Sequence, residues 1–165
     1  MFRMWLASAV AFTAVAVLAP HAAALTITPA AIKFSPVTLN GAVQTVAGST
    51  NSWRADAAAE SGGWNVTVSA TDFVNGDFKT IPVSNFEIRL LDANIVMVSG
   101  DPNGPSSTRT SLGALSGTPL KIASTAAGEG DGVYDLGPDF QLTVPAETYA
   151  GSYSSTVTVD VNAGP

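Results

Sequence analysis

Strict alternation of apolar and polar residues, in short runs separated by turn residues, most constrains what this chain can fold into. The run GWNVTVSATDF at residues 63–73 is the clearest case, with Trp64 and Val66 on one side and Asn65 and Thr67 on the other. A period of two is that of a β-strand with one dry face and one solvated face. Glycine and proline punctuate the whole chain between such runs, which is typical of all-β domains.

The alternation predicts about eight short strands and no convincing helix. Asn40-Gly41 is interpreted as a hairpin turn, and residues 99–119 and 125–138 as surface loops. The predicted fold is an antiparallel immunoglobulin-like β-sandwich, with a single sheet closed on itself as the alternative. The runs that support it lie at residues 25–34, 35–48, 49–59, 63–73, 83–100, 120–124, 139–145 and 152–161.

The first 24 residues have the layout of a secretory signal peptide. Arg3 supplies a positive start, Leu6–Leu18 an apolar stretch, and Ala22–Ala24 a small-residue cleavage site before Leu25. The apolar stretch is shorter than the roughly 20 residues of a membrane-spanning helix, which favours cleavage over a retained anchor. We therefore expect a secreted protein at the extracellular or cell-wall surface, with residues 25–165 as one domain and no membrane insertion after cleavage.

The residue types of the chain exclude several kinds of chemistry. There is no cysteine, and the one histidine, His21, lies in the predicted signal peptide. Histidine triads, cysteine nucleophiles, and zinc or copper sites built on imidazole or thiolate are therefore excluded from residues 25–165. No carboxylate pair lies in a recognisable catalytic motif, so no enzyme activity and no cofactor are expected.

Charge is sparse and mostly negative. Only 12% of the residues are charged, and the formal net charge is −6 at pH 7. Nucleic acid and anionic lipid are poor partners for such a surface, because both need clustered basic residues.

The motif at the start of the run 63–73 resembles that of the WxL-type cell-surface domain of bacteria. Trp64-Asn65-Val66 follows a double glycine and stands where that family has Trp-x-Leu. Near the C-terminus, residues 156–159 read TVTV where many members carry a second such motif, here without a tryptophan. The resemblance implies non-covalent association with the cell wall. The ligand would be peptidoglycan or another wall glycan, with other surface proteins as further partners.

The two tryptophans outside the predicted signal peptide allow two interpretations. Trp53 and Trp64 are either both core residues, or at least one is an exposed platform on which a sugar ring stacks. Pairing of residues 49–59 with 63–73 as a hairpin would make the two rings diagonal neighbours on one face. The alternation favours the core for Trp64 and makes Trp53 the more exposed of the two.

Three further side chains are candidate ligand contacts. Tyr149 and Tyr153 flank a small turn, and both fit an aromatic strip for sugars. Alternatively, one of them is a tyrosine corner, whose hydroxyl bonds back to the main chain. Asn65 lies on the outer face beside the tryptophan and is a candidate donor to a sugar hydroxyl.

The loop GEGDGVYDLGPD contains the weak metal candidates Glu129, Asp131 and Asp135. Carboxylates on a glycine-rich loop are the ligands that calcium prefers, but the spacing is not that of an EF-hand. A solvated acidic loop is the alternative, and no metal is expected here.

Two other functions compete with wall binding. The N-terminal run LTITPAAIKF, if free, would complete a neighbour's sheet and make the protein a subunit of an extracellular fibre assembled by strand addition. A carbohydrate-binding module for external, soluble glycans is the third hypothesis.

Overall fold

The computed structural model describes residues 25–165, and these residues form an all-β architecture of antiparallel sheets. The predicted signal peptide lies outside the described residues. Two 3₁₀ turns, Val83–Asn85 and Asp92–Asn94, interrupt the strands. The strands are β1 (Thr26–Thr28), β2 (Lys33–Phe34), β3 (Gln44–Ser49), β4 (Trp53–Asp56), β5 (Trp64–Ala70), β6 (Phe73–Val74), β7 (Thr80–Ile81), β8 (Phe86–Arg89), β9 (Ile95–Gly100), β10 (Ser106–Ser107), β11 (Gly113–Ala114), β12 (Leu120–Ser124), β13 (Gly132–Leu136), β14 (Asp139–Val144) and β15 (Val157–Ala163).

These fifteen strands exceed the predicted number, because the run 25–34 divides into two short strands and because β7, β10, β11 and β13 lie outside the predicted runs. Pro29, which has no backbone N–H to donate, separates β1 from β2 in this way. None of the helices described in residues 25–165 is long and apolar enough to cross a membrane.

The strands are arranged in three larger sheets and one small hairpin. Sheet 1 has the order β1-β4-β13-β9, sheet 2 the order β10-β12-β5-β15, and sheet 3 the order β11-β8-β14-β3-β2. The hairpin joins β6 and β7. Each order is linear and leaves two edge strands, so the sheets of residues 25–165 are open rather than closed on themselves.

The apolar side of the alternation builds one core to which all three sheets contribute. The side chains of Trp64, Val66 and Val68 on β5 are fully buried. Rings connect the sheets across this core. The centroids of Trp53 on sheet 1 and Phe140 on sheet 3 lie 5.7 Å apart. Burial of such apolar surface is the main term that stabilises the fold.

A glycine lets aromatic rings close over sheet 3. Gly48 pairs with Phe34 on one side and Phe140 on the other. A Cβ at this position would lie 2.7 Å from Cε1 of Phe34 and 2.9 Å from Cβ of Phe140, so no other residue fits without movement. The Phe34 ring lies over the glycine and meets the Phe86 ring edge-on, with centroids 5.7 Å apart.

The predicted hairpin between the two tryptophan-bearing strands is wrong. β4 pairs with β1 and β13, whereas β5 pairs with β12 and β15. Where the chain leaves β4 and enters β5, its N–H groups bond to residues far away in sequence. Ala57 N–H donates to Gly132 O at 2.8 Å, and Trp64 N–H donates to Thr125 Oγ1 at 2.8 Å. The two indoles therefore belong to different sheets.

Four other local expectations, the last of them part of the fibre alternative, are not met. Asn40-Gly41 is not a tight turn between two strands of the run 35–48, because residues 35–43 contain no strand and form the long loop that joins β2 to its antiparallel partner β3. The predicted loop 125–138 contains β13, a central strand of sheet 1, and the predicted loop 99–119 contains β10 and β11. The N-terminal run is not free, because β1 pairs with β4 and β2 pairs with β3 in the same chain.

Candidate functional site

Both tryptophans lie in the interior, and each is 0% exposed. The indole N–H of Trp53 donates to Ala30 O at 3.2 Å, and that of Trp64 donates to Gly130 O at 2.9 Å. The prediction that Trp53 is the more exposed is wrong, because the segment that contains Ala30 lies against its indole. A buried ring with a satisfied N–H has no face to offer a sugar, so both residues belong to the core.

The Asn65 side chain also has a structural role. Its side chain is 9% exposed, and its Nδ2 donates to Gly164 O at 2.7 Å. Gly164 N–H in turn donates to Gly63 O at 2.8 Å. The amide therefore fastens the end of β15 to β5 instead of facing a ligand.

The three weak metal candidates do not gather at one point. Asp131 accepts Ala59 N–H at 2.6 Å, and Asp135 binds Arg54 through both carboxylate oxygens, at 2.9 and 2.8 Å. The hydrogen bond from Arg54 lowers the pKa of Asp135 below its usual range. Glu129 is exposed. Within residues 25–165 no group of three or more such side chains has the arrangement of a metal site.

Tyr149 and Tyr153 do come together, on the loop that joins β14 to β15. The Tyr153 hydroxyl donates to Tyr149 O at 3.0 Å, the back-bonding expected of a tyrosine corner. The Tyr149 side chain is 62% exposed, and Nζ of Lys79 lies 4.5 Å from the centroid of its ring. We call residues 148–153 the tyrosine ridge.

Within residues 25–165 the most exposed aromatic residue is Phe78, at the tip of the β6–β7 hairpin, with 88% of its surface accessible. The buried Asn75 side chain shapes this tip: its Oδ1 accepts N–H groups from Asp77 at 3.0 Å and Lys79 at 2.8 Å. Phe78 has a φ of +57°, a left-handed conformation that costs a residue with a side chain about 1 kcal/mol or more. Strained, exposed residues concentrate at functional sites.

Sequence reasoning missed Phe78, although a signal was present. It sits in NGDFKT, where asparagine, glycine and aspartate predict a turn. An aromatic residue in such a turn is carried on the surface, because loops run over the outside of a protein.

Two grooves flank the tyrosine ridge. The first has a volume of about 410 Å³ and lies between the ridge and the β6–β7 hairpin. The second has a volume of about 630 Å³, and the inner face of sheet 3 contributes to its lining. Exposed rings beside apolar grooves with a few polar groups suit ring-shaped, amphipathic ligands. The first groove is lined by residues including Phe78, Lys79, Thr80, Glu147 and Thr148, and the second by residues including Phe34, Val46, Leu142 and Val144.

Few carboxylates line the two grooves. Hydrolysis of a glycosidic bond ordinarily uses two carboxylates about 5 to 10 Å apart across the bond. Glu147 is the single acid in the first groove, and the second groove is lined by none.

Comparisons with known proteins leave the family open. No family model and no curated protein matches the chain. Among solved structures, it is similar to a family 123 glycoside hydrolase from Clostridium perfringens, described in connection with glycolipid glycan hydrolysis. The identity is 17% over 75% of this chain, with a TM-score of 0.40. This chain spans only 19% of that enzyme, and a likeness at this level supports no argument about fold or function.

Proposed function

We propose that the protein binds a cell-wall glycan, such as peptidoglycan, non-covalently through the tyrosine ridge and the β6–β7 hairpin, and does no chemistry on it. The observation that carries the proposal is the pair of exposed rings, Phe78 and Tyr149, which line one groove. Exposed aromatic surface of this kind is costly to leave in water and marks interaction sites.

The binding mode follows from the side chains at hand. The C–H face of a sugar ring stacks on Phe78 or Tyr149, and hydroxyl groups meet the polar atoms of Lys79, Thr80 and Glu147. Since the site has one cation and one anion, long-range attraction adds little. Affinity is therefore modest and only weakly dependent on salt.

The proposed scaffold is an immunoglobulin-like β-sandwich, in which the sheets pack face to face around the aromatic core. Contacts between sheets support it, such as that of Trp64 on sheet 2 with Tyr134 on sheet 1, whose centroids lie 6.0 Å apart. The tyrosine-corner bond of Tyr153 is a further feature of such folds.

The proposed location is the bacterial cell surface, after export and removal of residues 1–24. The signal-peptide layout supports export, and the resemblance of Trp64-Asn65-Val66 to the WxL motif supports wall association. In this proposal the motif tryptophan serves the core, and the tyrosine ridge makes the contact with glycan.

Co-sedimentation with isolated cell walls tests the proposal. Wild-type protein is expected to pellet with walls, and Phe78→Ala combined with Tyr149→Ala to lower the affinity by roughly tenfold or more, since each stacked ring contributes about 1 kcal/mol. Val43→Ala is the matched control, because Val43 is 64% exposed and lies outside both grooves. If the doubly substituted protein bound walls with the wild-type affinity, the tyrosine ridge and the β6–β7 hairpin would not be the binding site.

A fibre subunit assembled by strand addition remains the alternative function. Donation of the N-terminal run would require β1 and β2 to leave their partners within the chain. A sizing column separates the two functions: the wall-binding proposal expects a monomer, and a large assembly that ignores walls favours the fibre. Binding to soluble polysaccharide but not to walls would favour the carbohydrate-binding module.

A further inference from the structure

The free edge of β9 has the properties of an interaction surface. β9 is the last strand of sheet 1 and pairs only with β13, so within residues 25–165 its other side has no strand partner. An edge of this length, Ile95–Gly100, presents backbone N–H and C=O groups that can pair with another chain.

The other edges of the three sheets are protected, and β9 is not. β1 has three residues and is followed by Pro29, β2 has two residues and begins with Lys33, and β10 and β11 have two residues each. β15 is long but carries Asp160 in its middle. Short length, proline and charge are the usual means by which proteins prevent pairing at an edge.

β9 lacks these protections and also exposes apolar side chains. Its sequence, IVMVSG, contains neither a charged residue nor a proline. Val96, Met97 and Val98 are 57%, 47% and 48% exposed. Its one protective feature is a bulge opposite Val133 and Tyr134, which lies in the second half of the strand and leaves Ile95–Met97 in regular register. An open, apolar edge of this kind promotes aggregation, and exposed apolar patches commonly mark interaction sites. We therefore infer that the edge of β9 has a partner.

The charges at the two ends of β9 indicate what fits there. Asp92 lies just before the strand and Asp101 just after it, and Asp101 N–H donates to Asp131 O at 2.7 Å, which brings a third acid to that end. The two ion pairs found in residues 25–165 are Arg54–Asp135 and Arg89–Asp139, and neither involves these three acids. Both ends of the edge are therefore acidic.

We propose that β9 is a strand-addition site for an extended segment of a partner protein, made of consecutive β-branched residues with a lysine or arginine at each end. The backbone of the segment pairs with the free edge, its side chains contact Val96 and Met97, and its basic ends meet Asp92 and Asp101. A second copy of β9 fits less well, because antiparallel pairing would bring acidic ends together. This proposal is independent of glycan binding.

Two synthetic peptides with blocked ends test it: Lys-Val-Thr-Val-Thr-Val-Lys and Glu-Val-Thr-Val-Thr-Val-Glu, each labelled for fluorescence anisotropy. The first is expected to bind the purified protein saturably and the second roughly tenfold more weakly, as two exposed charge pairs allow. Val96→Lys is expected to abolish binding, because it adds a repelling charge to the edge. Val43→Lys, the same change at another exposed valine, is expected to leave binding intact.

Four outcomes would overturn the proposal, and none of them involves a glycan. The proposal would be overturned if neither peptide bound. It would also be overturned if both peptides bound equally, because the acidic ends of β9 would then not select the basic peptide. Binding that survives Val96→Lys would place the peptide elsewhere. Sedimentation of the protein alone provides the last check: a dimer that Val96→Lys dissociates would make the second copy the occupant and overturn the proposed partner.

Discussion

Two groups of aromatic residues divide the molecule into an interior that holds the fold and a surface that is available for contact. Trp53, Trp64 and Tyr134 lie on strands and are at most 1% exposed. Phe78 and Tyr149 lie in turns and are mostly exposed. Both groups consist of aromatic residues, so the difference lies in the local backbone. A strand directs one of its faces toward the core, whereas a turn leaves its side chains in water.

The two groups also differ in how their polar atoms are satisfied. In the interior group, both indole N–H groups and the Tyr134 hydroxyl donate to backbone oxygens, the last to Asp101 O at 2.6 Å. In the surface group, the exposed Tyr149 ring has Lys79 above it and no buried partner among the described contacts. The interior rings are therefore fixed in place by packing and hydrogen bonds, whereas the surface rings expose area that a ligand can contact.

Trp64→Ala should produce the largest effect. Removing a fully buried indole from β5 leaves a cavity, and the free energy of unfolding should fall by about 3–5 kcal/mol. Chemical denaturation measures it, with Trp64→Phe as the milder companion because it keeps a ring at the site. A loss below about 1 kcal/mol would contradict the assignment of Trp64 to the core.

Tyr134→Phe should have a smaller effect that also depends on pH. It removes the part-buried hydrogen bond to Asp101 O, which costs about 1–1.5 kcal/mol at neutral pH. Burial, with Asp101 and Asp131 nearby, raises the pKa of Tyr134. The wild-type stabilisation from this group is therefore present below about pH 10 and is lost as pH rises through the folded pKa.

Unfolding curves recorded from pH 8 to pH 11 distinguish the two contributions of Tyr134. The wild-type protein should lose stability toward the alkaline end, and Tyr134→Phe should lose less over the same interval. Parallel curves for the two proteins would show that the Tyr134 hydroxyl does not ionise with unfolding, contrary to its burial.

Tyr153→Phe should weaken the ridge more than the fold. The substitution removes one partly exposed hydrogen bond, to Tyr149 O, and should cost about 0.5–1 kcal/mol. Wall binding should fall along with it, because the loop that carries Tyr149 loses its tie. Unchanged binding with reduced stability would separate the tyrosine corner from the site.

Phe78→Gly should give the smallest change, of opposite sign. Glycine adopts the left-handed backbone at this position without strain, so the free energy of unfolding should rise by about 0.5 kcal/mol. Wall binding should fall at the same time, as function and stability compete at this residue. Thermal unfolding combined with wall co-sedimentation measures both quantities, and Phe78→Ala separates the loss of the ring from the release of strain.

Local alternation predicted the interior group well and the partners of its strands poorly. It placed Trp53, Ala55 and Ala57 on one face of a strand, and all three are buried. It could not supply the pairing, because the partners of β4 and β5 lie up to about a hundred residues away in sequence and their selection depends on the whole core. β13 was missed because glycines and acids around Tyr134 resemble a loop.

The surface group was predicted only in part. Tyr149 and Tyr153 were identified, including the hydroxyl bond from one tyrosine to the main chain. Phe78 was not identified, because the residues around it predict a turn but carry no motif that indicates a ligand contact. Its position beside Tyr149 depends on how the β6–β7 hairpin packs against the ridge, which no local pattern encodes.

The hydrogen bond that Asn65 Nδ2 donates to Gly164 O has a consequence for production of the protein in eukaryotic hosts. Asn65-Val66-Thr67 is an acceptor sequence for N-linked glycosylation, which normally falls on exposed loops. In the folded protein this side chain is buried and its nitrogen is engaged. A host that attaches an oligosaccharide during synthesis, before β15 has docked, would leave a chain that cannot close its last strand against β5.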